Sequence, residues 1–126
     1  MNKLEYSAYL ALFFGIGLAA FETLVNWGQW QWWPFWLIDY AAAILLICGA
    51  FSVFRQHGFA AKLLCAGWAF TLAMFWMSLA GNIENGTDPA RAARAADLYV
   101  LMIVFSIVLA LIGLILALME GANKAR

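Results

Sequence analysis

The run Asn26-Trp27-Gly28-Gln29-Trp30-Gln31-Trp32-Trp33-Pro34-Phe35-Trp36 holds five of the chain's seven tryptophans. Tryptophan favours the boundary between lipid and water, where its ring is buried and its N–H stays wet. The run therefore predicts a turn at a membrane surface. It joins two long apolar stretches whose only charged residues lie just outside it, Glu22 on one side and Asp39 on the other.

Composition points the same way. The 126 residues are 67% hydrophobic and 11% charged, whereas a soluble domain is nearer half apolar and a quarter charged. Seven basic and seven acidic residues balance, so no nucleic-acid partner is expected. Four stretches, 6–25, 35–54, 63–80 and 98–119, approach the roughly 20 residues that a helix needs to cross a hydrocarbon core of about 30 Å. The first could pass for a signal peptide, with Lys3 ahead of it and Gly17-Leu18-Ala19 resembling a cleavage site. Glu5 weakens that pattern, and the stretch is read as a retained helix.

The expected fold is all-α: one integral membrane four-helix bundle spanning 1–126, with short loops and both termini cytoplasmic. The positive-inside rule sets the orientation. Lys3, Arg55, Lys62, Lys124 and Arg126 then face the cytoplasm, and only Arg91 and Arg94 lie outside. The expected location is a cell membrane, specifically a bacterial inner membrane. Pro34 suits the first turn of the second helix, and Asp88-Pro89 suits the start of the fourth as cap and first helical residue. The stretch 55–58 leads into the third helix near Ala60. The stretch 81–89, rich in turn formers, reads as a loop.

Lipid tails are as apolar as leucine, so membrane helices associate through close backbone approach at small residues. The predicted packing lines are Ala8, Ala11, Gly15 and Ala19 in the first helix, continuing to Glu22 and Asn26, all within an arc of about 80°. The others are Ala42, Ala43, Gly49 and Ala50; Ala66, Ala69, Ala73 and Ala80; and Ser106, Ala110, Gly113 and Ala117. Phe13, Leu10, Ile44, Leu64, Leu109, Ile112 and Leu116 are expected to meet lipid.

An up-and-down path brings Glu22, Asn26, Asp39, Tyr40, Asn82, Glu84, Asp97 and Tyr99 to one external layer. Buried carboxylates are costly in a membrane unless paired, hydrated or protonated. One reading is a ligand or transport site, in which acids and aromatic faces attract a cation or proton. The candidate residues are Glu22, Asn26, Asp39, Tyr40, Asn82 and Tyr99. The other is structural, with the acids bonded to indoles, tyrosines or Asn26, or paired with Arg91 and Arg94. Trp27, Trp30, Trp32, Trp33 and Trp36 exceed what anchoring needs and offer a docking surface. A lipid or quinone pocket beneath them is a further possibility.

No Ser–His–acid group, phosphate-binding loop or zincin motif is present, so an enzyme is not expected, and no cofactor or metal is implied. Met74, Met77 and Met102 are read as packing residues rather than copper ligands. Cys48 and Cys65 are expected as buried thiols, and His57 as a solvated turn residue. Asn85-Gly86-Thr87 matches a glycosylation acceptor, a pattern frequent by chance. Two functions follow as expectations. The first is a non-catalytic accessory or scaffolding subunit, or a self-associating bundle, whose partners are membrane lipid and either further copies or another membrane protein. The second is a small oligomeric cation- or proton-coupled transporter or channel using Glu22 and Asp39.

Overall fold

A computed structural model describes residues 1–27, 33–85 and 89–124, with side chains throughout except at 26, 85, 89–97 and 124. Four helices follow one another: α1 (Lys3–Asn26), α2 (Trp33–Phe54), α3 (Ala60–Asn85) and α4 (Pro89–Lys124). Each packs on its neighbours in sequence, α4 closes back on α1, and α1 touches α3 across the diagonal. The result is an antiparallel four-helix ring. Each helix is long and apolar enough to cross a membrane, the architecture of a multi-pass membrane protein.

Local chemistry sets the helix ends. The Asn2 side chain accepts from the Glu5 amide at 2.9 Å, and the Glu5 carboxylate accepts from the Asn2 amide at 3.0 Å. This reciprocal capping box satisfies two amides that would lack partners and starts α1 at Lys3, ahead of the expected residue 6. Pro34 falls in the first turn of α2, where a missing N–H costs nothing. α4 begins at Pro89 as expected, nine residues before its apolar part.

At the other end of α2, the His57 amide donates to the Ser52 carbonyl at 3.0 Å and the Gln56 amide to the Val53 carbonyl at 2.9 Å. These bonds form a Schellman turn, whose left-handed position is occupied by Gln56 at φ 56°. Glycine reaches that conformation without the side-chain penalty of roughly 1–2 kcal/mol. Gln56→Gly should therefore stabilise the protein by about 1 kcal/mol, read as a higher unfolding midpoint in detergent. A lower midpoint would show that the Gln56 side chain contributes more than the turn geometry implies.

The third helix departs from expectation at its end. Gly81, Asn82, Ile83 and Glu84 are helical rather than part of a loop. The Asn82 side-chain amide donates to the Ser78 carbonyl one turn back, at 2.7 Å, so this turn former supports the helix instead of ending it.

The small-residue lines of α1, α2 and α4 face inward. Ala8, Ala11, Ala42, Ala50, Ala110 and Ala117 are wholly buried. A Cβ on Gly15 would lie 2.9 Å from Ile47 and 3.1 Å from the Ala43 carbonyl, and one on Gly49 would lie 3.0 Å from the Leu64 Cα. These glycines bring α1 against α2 and α2 against α3.

The line predicted for α3 faces the wrong way. Ala66, Ala69 and Ala73 are exposed, while the buried face carries Ala60, Leu64, Gly67, Trp68 and Thr71. Leu64, expected in lipid, is fully buried; Leu10 and Leu109 are partly buried against the core. Phe13, Ile44 and Ile112 are exposed as expected.

Trp68 is the reason for the inversion. Its ring lies on Gly113 of α4, where any Cβ would overlap Cε2 and Cζ2 and sit 2.7 Å from Cδ2. Its Nε1–H donates to Ser7 Oγ at 2.9 Å, and Ser7 Oγ–H donates to the Gly113 carbonyl at 2.7 Å. One indole and one hydroxyl thus tie α3, α1 and α4 together, with Phe14 set edge-on to the Trp68 ring at 5.8 Å. Large fills small between helices, so α3 presents its bulk to the glycine of its neighbour.

Candidate functional site

The α1–α2 turn end is fixed by a hydrogen bond between Thr23 Oγ1 and the Tyr40 hydroxyl at 2.7 Å. Thr23 Oγ1 also donates to the Ala19 carbonyl at 2.7 Å, so Tyr40 is the donor to Thr23. This bond levels the end of α1 with the start of α2. It puts Glu22 and Asp39, each next in sequence to a bonded residue, at the same end of the bundle. Trp36 packs edge-on to Tyr40 at 6.0 Å.

Level is not the same as contact. Glu22 and Tyr99 line a half-open groove of about 300 Å³ between α1 and α4. Its walls are Phe13, Gly17 and Phe21 of α1 and Met102, Phe105 and Ser106 of α4, and Phe75 of α3 also borders it. Asp39 and Tyr40 do not line this groove; Asp39 is half-buried on α2 and Tyr40 is committed to Thr23. Asn82 is committed to its own helix through Ser78. The Asn26 side chain lies outside the described residues. Of the six candidates, the structure therefore brings Glu22 and Tyr99 together in a cavity and leaves Asp39, Tyr40 and Asn82 elsewhere.

The aromatic surface is partly described. Trp27 and Trp33 are exposed, Trp36 is half-buried, and Trp30 and Trp32 lie outside the described residues. The Arg91, Arg94 and Asp97 side chains also lie outside them. Met74 is partly buried, Met77 is exposed and Met102 lines the groove, so they occupy different surroundings. Cys48, expected to be buried, is exposed on the outer side of α2; Cys65 is half-buried, and both are free thiols. No cluster of three or more His, Cys, Asp or Glu with metal-holding geometry occurs among the described residues.

A second cavity lies at the end that bears the termini, where Asn2, Glu5, Tyr9, Gln56 and His57 surround about 670 Å³ of space. His57 is exposed there and stacks on Phe59, with ring centroids 5.4 Å apart. Along the helices, fully buried Leu46, Leu64 and Trp68 fall between the two cavities.

The groove was not foreseen. Phe13 reads as a lipid-facing residue and Gly17 as part of a cleavage-site-like triplet. One signal was available: Gly17 lies two residues, or about 200°, from Gly15, so it cannot serve the same packing line.

Fold and cavities together give an all-α bundle of four helices, each long and apolar enough to cross a membrane, with an acid-tipped aromatic groove on its flank. No family model matches the chain, and neither do the curated proteins or the solved structures compared with it.

Proposed function

We propose that this chain is a non-catalytic membrane subunit that works by association, as a scaffold for further copies of itself or for another membrane protein. The observation that carries this reading is the outward line on α3. Ala66, Ala69 and Ala73 are exposed, within an arc of about 60° that continues to Met77. Small residues on a lipid-facing flank let a second helix approach closely, which is how membrane helices gain contact energy. Exposed Trp27 and Trp33 at one end of the bundle extend the same kind of surface, since tryptophan anchors interfaces. The expected setting is a bacterial inner membrane with both termini cytoplasmic.

The transport reading has less behind it. The fully buried layer of Leu46, Leu64, Trp68, Thr71 and Ser7 speaks against a path through a single copy. Asp39 also stands apart from the groove that Glu22 lines.

The test is the mass of the wild-type protein purified in mild detergent, beside Ala69→Phe. A defined oligomer or a stoichiometric membrane partner is expected for the wild type. Ala69→Phe, which changes an outward side chain and leaves the core intact, should dissociate that complex by at least tenfold in apparent Kd. A wild-type protein that is strictly monomeric and partner-free would contradict the proposal. So would an assembly indifferent to bulk at 66, 69 and 73.

A further inference from the structure

The groove on α1 and α4 has no role in the scaffold reading, and its construction points to a ligand. Glycine in a helix interior costs stability relative to alanine, and the glycines of this bundle mostly earn a close helix contact in return. Gly17 does not. A Cβ there would meet nothing within 4 Å. The missing side chain instead leaves open the cavity that Gly17 lines. The space is therefore held open at a cost that packing does not explain.

The lining states what would fit. Six aromatic rings, Phe13, Phe14, Phe21, Phe75, Tyr99 and Phe105, border the groove, and among the described residues no basic side chain does. Glu22 is the one carboxylate among the described lining residues, about 14 Å along α1 from Phe13 at 1.5 Å per residue. Phe13 and Phe105 are strongly exposed, so the groove opens on the flank of the bundle, toward the hydrocarbon if the helices cross a membrane. Aromatic faces and a carboxylate both attract positive charge. An ionised carboxylate has about four acceptor sites, so bonding to a neighbour leaves capacity for a ligand. A volume of about 300 Å³ lies at the small end of ligand sites, too little for a whole two-tailed lipid. An anionic amphiphile would meet Glu22 with like charge. A quinone carbonyl needs donors, and among the described lining residues the Tyr99 hydroxyl is the only one near Glu22, because Ser106 donates to its own helix at the Met102 carbonyl.

We propose that this groove binds a lipophilic organic cation entering from the membrane, its apolar shell against the phenylalanines and its positive charge balanced by Glu22 beside it. The site is independent of the scaffold reading and stands or falls by itself.

Tetraphenylphosphonium is the probe, and tetraphenylborate, of the same shape and opposite charge, is its control. The full chain is reconstituted in lipid nanodiscs and binding is measured by equilibrium dialysis against empty nanodiscs. Saturable binding of about one tetraphenylphosphonium per chain is expected, with tetraphenylborate at the level of empty discs. Gly17→Leu fills the groove without touching a helix contact and should weaken binding at least tenfold. Glu22→Gln should do the same, while Asp39→Asn should leave binding unchanged. If Gly17→Leu fails to fold, Phe105→Ala, on an exposed ring, takes its place with the same expected loss. Equal uptake of the two probes, no saturable binding to the wild type, or binding unaffected by Glu22→Gln would overturn the proposal.

Discussion

Trp68→Ala should destabilise the bundle by about 3–5 kcal/mol, the largest effect of any single truncation among the described residues. The residue is fully buried, so lipid cannot fill the space its ring leaves. The loss has two parts. Most of it is dispersion contact with Gly113, Phe14 and the surrounding core. The remainder is the Trp68–Ser7 hydrogen bond, and such bonds between membrane helices contribute about 0.6 kcal/mol on average and up to about 1.7. Trp68→Phe separates the two, because it keeps most of the ring and removes the N–H donor. It should cost about 1–2 kcal/mol. Reversible unfolding in mixed micelles, followed by far-UV circular dichroism, measures both. A Trp68→Ala protein within about 0.5 kcal/mol of wild type would mean that the indole does not lock α3 to α1 and α4.

Gly113→Ala should also destabilise, by about 2 kcal/mol, and here the sign itself is the test. Helix propensity alone favours alanine over glycine by about 1 kcal/mol. Against that stands the overlap between a new Cβ and the Trp68 ring. Forcing extra volume into a packed core costs about 1–3 kcal/mol, occasionally more, and Trp68 is fully buried. The clash should win. In a Trp68→Ala background the same substitution loses its adversary and should become neutral or stabilising. The two changes should therefore couple by at least 2 kcal/mol in a double-mutant cycle, near the upper end for residues in contact. Gly17→Ala is the matched control, with open space at its Cβ, and should stabilise by up to about 1 kcal/mol. If Gly113→Ala behaves like Gly17→Ala, the contact between Trp68 and α4 is looser than described.

The four apolar helices were legible because long apolar runs can be read without knowing any neighbour. The Pro34 and Pro89 starts were equally legible, since a missing N–H acts locally. The inward lines of α1, α2 and α4 followed from small residues at helical spacing. The same rule failed on α3 because it treats each helix alone. Which face of α3 turns inward depends on Gly113, some 45 residues further along, whose missing side chain makes room for Trp68. A tryptophan in mid-helix looks like a lipid-facing residue until its glycine is known. Ser7 was missed for the same reason, as its two bonds run to α3 and α4. Glu22 and Asp39 share an end of the bundle but not a direction: helix length sets height, but rotation about the axis separates Glu22 in the groove from Asp39 outside it. The groove itself is an absence of atoms at Gly17, and its only trace in sequence is a glycine off the packing line.

These features also separate the two proposed surfaces. The groove lies mainly on α1 and α4, and its one α3 residue, Phe75, is on the opposite side of that helix from the alanine line. Bulk at Ala69 should therefore leave the cation site intact, and filling at Gly17 should leave assembly intact. Loss of both properties in either variant would indicate a misfolded protein and not a lost surface.

The arrangement as a whole depends on all four helices crossing the bilayer, which places the α2–α3 turn with the N-terminus and the Trp27 end with the end of α3. Single cysteines at Asn2, Gln56, Trp27 and Glu84, in a Cys48→Ser, Cys65→Ser background, can be labelled in sealed vesicles with a membrane-impermeant maleimide. Positions 2 and 56 should react from one side only, and positions 27 and 84 from the other only. Labelling of 27 and 56 from the same side would contradict the four-crossing bundle outright.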